Sequence, residues 1–157
     1  MNSIDEARST VLKMLTEGMK TPVTIRPDGG LLVRKDGHST AAFFHFREQT
    51  FNGTAPTQSF VSIAAPLLRS VPESPELYKW IALNSTGFRL GSIEVIVEEG
   101  GTLFLLYRHT LLVDYLTLDE LDTAMWAVLA TANEMDEWLK QQFGGKRWID
   151  SDEVPDA

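Results

Sequence analysis

The strand-like segments of this chain are apolar on both of their faces, and no other feature constrains its fold as strongly. Between Ser92 and Glu98, Ile93, Val95 and Val97 share one side while Ile96 lies opposite. From Thr102 to Leu111, Leu103, Leu105 and Tyr107 share one side, and Phe104 and Leu106 occupy the other. Earlier in the chain Phe43 points one way while Phe44 and Phe46 point the other. Successive side chains of a strand alternate between faces. A sheet with one face in water therefore alternates apolar and polar residues, and these segments do so poorly. Both faces of the sheet need cover.

Helical periodicity and turn chemistry supply the remaining elements. Ser3-Ile4-Asp5-Glu6 is a capping box, followed by Ile4, Ala7, Val11, Leu12 and Leu15 at helical spacing, which predicts a helix from Ser3 to Glu17 with Gly18 as its stop. Val23–Arg26 and Leu31–Lys35 flank Pro27-Asp28-Gly29-Gly30, a turn sequence suited to a hairpin. Two longer strands follow, Ala41–Phe51 and Gln58–Leu68, with a loop over residues 52–56 between them. Pro66 lacks a backbone donor and predicts fraying or an edge position near the end of the second. Ser74-Pro75-Glu76 starts a short helix reaching Leu83 or Asn84. The strands around Glu99-Gly100-Gly101 form the strongest hairpin signal. A second capping box, Thr117-Leu118-Asp119-Glu120, opens a long helix that ends at Gly144. It carries Leu121, Met125, Val128, Ala132, Met135 and Leu139 in steps of three and four.

The order α-β-β-β-β-α-β-β-α, with short turns between consecutive strands, implies an α+β fold on a twisted antiparallel sheet. The first and last helices can shield one sheet face, but the short middle helix is too small to shield the other alone. Either helices wrap both faces within the monomer, or another chain covers part of the second face, as a homodimer or as a bound client segment. The hydrophobic pattern does not separate these cases. Residues 1–145 read as one domain, with an acidic, flexible tail over 146–157.

Composition narrows the function classes. The 157 residues include no cysteine, which excludes disulfides, zinc-thiolate sites and a cysteine nucleophile. With 14 Lys and Arg against 22 Asp and Glu, the net charge is -8. Nucleic acid and anionic membrane surfaces are poor partners for such a chain, because both recruit clustered cations. No apolar run reaches transmembrane length, and Asp5, Glu6 and Arg8 stand where a signal peptide needs an apolar core, so a cytoplasmic location is the default expectation. The three histidines, His38, His45 and His109, have no second ligand at metal spacing. His45 reads as a packed strand residue and no nucleophile elbow is present. The reading contains no catalytic residue, metal site or cofactor.

Phe88-Arg89-Leu90-Gly91-Ser92-Ile93-Glu94-Val95, Tyr107-Arg108-His109-Thr110-Leu111-Leu112-Val113-Asp114-Tyr115-Leu116 and Leu118-Asp119-Glu120-Leu121 together resemble the YbjN-like family, which is grouped with class I type III secretion chaperones. The resemblance covers residues 88–144 and implies a chaperone-like α+β fold, frequent dimerisation and binding of extended client segments. It carries over no catalytic residue. The expectation is a non-catalytic chaperone-like or adaptor protein holding a client segment; the alternative is a regulatory or small-ligand-binding domain. Candidate partner or dimer contacts are Phe44, Phe46, Ile96, Phe104, Leu106, Arg108, Trp126 and Trp138. Arg108 is expected to pair with Asp114 or a helix C-terminus. Trp126 and Trp138 fall outside the apolar seam of the last helix, where they either widen its buried face or line a contact.

Overall fold

The computed structural model describes residues 3–51, 53 and 56–151. Its elements are α1 (Ile4–Lys13), β1 (Thr24–Ile25), β2 (Leu31–Arg34), β3 (Ala41–Gln49), β4 (Gln58–Val71), α2 (Pro75–Asn84), β5 (Ser92–Val97), β6 (Leu103–Leu112) and α3 (Leu118–Phe143). The predicted order is the observed one. Both capping boxes form: the Ser3 hydroxyl accepts from the Glu6 amide, and the Thr117 hydroxyl accepts from the Glu120 amide. After Lys13 the first helix widens into a π-turn over Met14–Gly18. Of the loop expected over residues 52–56, Asn52, Thr54 and Ala55 lie outside the described residues.

All six strands join one antiparallel sheet in the order β1-β2-β3-β4-β6-β5. The three helices lie on one face of it. Ala7 and Val11 of α1, Leu15 of the π-turn, Leu77 of α2, and Leu121, Met125, Val128 and Leu139 of α3 pack there against Phe44, Val61, Ile63, Leu105 and Tyr107. Burial of this apolar surface is the main stabilising term.

β4 is the longest strand, and it sits in the middle of the sheet. The expected edge position for Pro66 is therefore corrected. Its missing donor is accommodated because β3 stops pairing at Ala64 and a bulge shifts the β4–β6 register between Pro66 and Leu68. The Pro66 carbonyl accepts from the Thr40 hydroxyl at 2.7 Å.

The flexible tail expected from residue 146 is corrected for its first part. Lys146 bridges to Arg69 beyond the point where β3 leaves β4. The chain thus passes from the helix face to the opposite face, where Trp148 packs on Leu32, Ala41 and Phe43 and is only 6% exposed. Gly145 makes the passage possible: its φ is +90°, and a Cβ there would meet the Arg69 carbonyl at 2.7 Å. Arg147 then binds Glu137 of α3 at 3.0 Å and Asp150 at 2.9 Å, while the Ile149 amide donates to Ser39 at 3.2 Å. Nothing in composition signals this docking, which depends on one tryptophan finding a site made by β2 and β3. Residues 152–157 lie outside the described residues.

Candidate functional site

Among the described residues none of the three α-helices lies on the second sheet face, which is covered only in part by the turn that carries Trp148. The strand register decides what it displays. Phe43, Ala64, Arg108 and Ser92 form one cross-strand row, and Pro66, Leu106 and Glu94 form the next. Phe104 pairs with Ile96 beyond them. Phe43, Ala64, Pro66, Ile96, Phe104, Leu106 and Arg108 line a groove of about 340 Å³ together with Arg26, His45, Arg69 and Trp148. Its floor is apolar: Ala64 and Leu106 are buried, and Phe43 and Phe104 are half-buried. At one end the face turns polar, where the Ser62 and Thr110 hydroxyls lie 2.9 Å apart.

Four predicted contacts, Ile96, Phe104, Leu106 and Arg108, meet in this groove. Ile96 is 42% exposed and marks its open side. Phe44 and Phe46 do not belong with them. Phe44 is fully buried under the helices and Phe46 packs against the same core, because strand parity places both opposite Phe43. The correction is one of register: single strands reveal which residues share a side, but not which sides of two strands align. Trp126 and Trp138 sit on α3, away from the groove, at 41% and 43% exposure. Trp126 has His38 at 6.0 Å and the Lys35 ammonium at 4.9 Å, and Trp138 stacks with Trp80 at 5.1 Å.

Sequence reasoning missed Phe43, Arg26, Arg69 and Trp148. The opposed direction of Phe43 was legible, but its neighbours across the sheet were not. Arg69 enters because the bulged end of β4 redirects it, with Ser70 at a φ of +55°. Its guanidinium binds Glu98 at 2.8 Å and lies over Phe104 at 5.3 Å. Arg26 lies over Phe43 at 4.8 Å, and Arg34 over Trp148 at 5.0 Å. Each ring holds a guanidinium plane in place.

Arg108 pairs with Glu94 of β5 at 3.2 Å, not with Asp114 or a helix end as expected, because their antiparallel neighbours place these side chains on the same face. Its Nε is buried with no hydrogen-bond partner. His45 is held below the usual imidazole range, first by desolvation and then by Arg108 and Arg26, with Asp28 opposing. Burial raises the Glu98 carboxyl, but the Ser70 amide and the Arg69 guanidinium outweigh it and leave the group below its usual range. His109 faces the helices beside Asp119 and Glu120, and burial lowers it.

No group of three or more His, Asp or Glu side chains among the described residues is placed to hold a metal ion. No helix among them is long and apolar enough to cross a membrane. What the groove offers is apolar contact edged by fixed cations.

Residues 5–151 match the family described as T3SS (YopN, CesT) and YbjN peptide-binding chaperone 1. The chain belongs to this family. The match extends into the N-terminal half, well beyond the residues 88–144 that carry the resemblance in the sequence. The crystal structure of YbjN from E. coli aligns over 90% of this chain and 94% of that one, with a TM-score of 0.55 at 10% identity. That likeness establishes the shared fold. No curated protein matches the chain. Peptide-binding chaperones of this family are binding proteins, in keeping with a sheet whose helices gather on one face and leave the other open.

Proposed function

We propose that this protein is a non-catalytic chaperone or adaptor and that the open sheet face holds an extended segment of a client protein. The observation that carries the reading is the groove itself: an apolar floor from Phe43, Ala64, Leu106 and Phe104 on the face the chain's own helices leave bare. An extended segment laid there would bury alternate side chains, and the floor would supply most of the affinity. The family's peptide binding supports the same reading.

The test is a photo-crosslinking experiment. A crosslinkable side chain at Ile96 should capture clients from native lysate, identified by mass spectrometry, and one at Trp126 should not. Overlapping synthetic peptides from a captured client then give the bound segment by anisotropy. Ile96→Asp should abolish that binding without unfolding the protein. Crosslinks through Trp126 alone, or peptide affinity indifferent to Ile96→Asp, would overturn the proposal. Self-crosslinking through Ile96 with a doubled solution mass would assign the face to a second copy instead.

A further inference from the structure

The groove gathers positive charge in a protein that has little to spare. The chain carries -8 overall, and its eight arginines are Arg8, Arg26, Arg34, Arg47, Arg69, Arg89, Arg108 and Arg147. Arg26, Arg69 and Arg108 line the groove, and Arg34 stacks on the tryptophan that closes one side of it. No Asp or Glu among the described residues lines it. The counter-charges Asp28, Glu94 and Glu98 pair with these arginines from outside the lining, at 3.9, 3.2 and 2.8 Å. Arg26 and Arg108 are the less committed pair. The contact from Arg26 to Asp28 is long, and Arg108 spends one Nη on Glu94 while its Nε has no partner. A guanidinium presents five donors in a rigid fork, so each can accept a further carboxylate without giving up the first.

We infer that the client segment pairs apolar side chains with a carboxylate, the apolar groups on Phe43, Leu106 and Phe104 and the carboxylate between Arg108, Arg26 and His45. This rests on the reading of the open face as the client site and adds the chemistry of what it selects. Charge complementarity commits the occupant to an acidic, apolar, extended peptide; a basic segment would meet the arginines unpaired. The chain itself carries a sequence of that chemistry, since residues 152–157 read Asp-Glu-Val-Pro-Asp-Ala.

The experiment titrates the full-length protein into three fluorescein-labelled octapeptides and reads anisotropy. One alternates leucine with aspartate, the second carries asparagine for every aspartate, and the third carries serine for every leucine. The acidic apolar peptide should bind about tenfold or more tighter than its amide twin, since charge-assisted bonds are roughly twice as strong as neutral ones. The serine peptide should bind weakest. Arg108→Met keeps the apolar stem, and it should erase the preference for aspartate over asparagine; Arg26→Gln should reduce the preference in part. Circular dichroism confirms that each variant is folded. Equal affinity for the aspartate and asparagine peptides would overturn the inference and leave the client reading intact. No binding of any peptide above background would remove both. A probe that binds only when Asp152, Glu153 and Asp156 are changed to their amides would overturn the assignment to a client, because the chain's own acidic segment would then be the occupant.

Discussion

The two faces of the sheet are built from the same strands, yet they are organised by different physics. On the helix side Phe44, Ile63 and Leu105 are fully buried and interlock with three helices. On the other side Phe43, Phe104 and Ile96 are only partly covered, by arginine planes and by a single docked tryptophan. One face is a core, where each methylene contributes to stability. The other is a surface where cations and rings stay arranged without a filling layer. If the open face holds the client as proposed, stability and recognition are separable: changes on the first face should act on folding and changes on the second on binding.

The largest effect that would sharpen this contrast is expected from Phe44→Ala. Truncating a fully buried phenylalanine beneath the helices should cost about 3–5 kcal/mol in a denaturant titration. A loss below 1 kcal/mol would mean that the helix face is not a close-packed core. Gly145→Ala comes next. At φ +90° its added Cβ would run into the Arg69 carbonyl and the Val71 side chain, so strain of about 1–3 kcal/mol is expected. The change should loosen Trp148 from the open face, read as a red shift of tryptophan emission relative to the wild type.

Asp136 offers a smaller, pH-dependent effect. Its carboxyl is buried, accepts from the Ser39 hydroxyl and leaves Oδ1 without a hydrogen bond. Burial raises its pKa above the usual Asp value of 3.8, although Ser39 and Arg147 pull the other way. A raised carboxyl means that the folded protein binds this proton more tightly than the unfolded chain. Its contribution to stability is therefore full below pH 3.8 and is lost as pH rises through the folded value. Asp136→Asn should accordingly raise Tm at neutral pH, with the gain shrinking as the pH is lowered; a lower Tm at neutral pH would show that the Arg147 attraction outweighs burial. The smallest expected effect on folding is that of Ile96→Asp. This residue is 42% exposed on an edge strand, so stability should change by about 0.5 kcal/mol or less even as client binding disappears. A large loss of stability there would break the separation of the two faces.

Most of the fold was legible because its signals are local. Capping boxes at Ser3 and Thr117, the Ser74-Pro75 start and the Glu99-Gly100-Gly101 turn each satisfy backbone groups within a few residues. The lining of the candidate groove was half legible. Ile96, Phe104, Leu106 and Arg108 come from one hairpin, whose register its own turn sets, and they were found together. Phe44 and Phe46 were grouped with them wrongly because β3 meets β6 only through β4, and that alignment involves loops and a bulge far along the chain.

The sequence by itself determined that this protein would be an antiparallel sheet with three helices and apolar residues on both faces. Periodicity, capping and turn chemistry act over a few residues and leave little choice. Only the tertiary structure decided that all three helices gather on one face, that Arg26, Arg69 and Arg108 converge on the other, and that the segment after Gly145 docks Trp148 beside them. Those outcomes depend on cross-strand register and on long-range packing. Both are settled by summed burial over the whole domain and are not encoded in any short stretch of the chain.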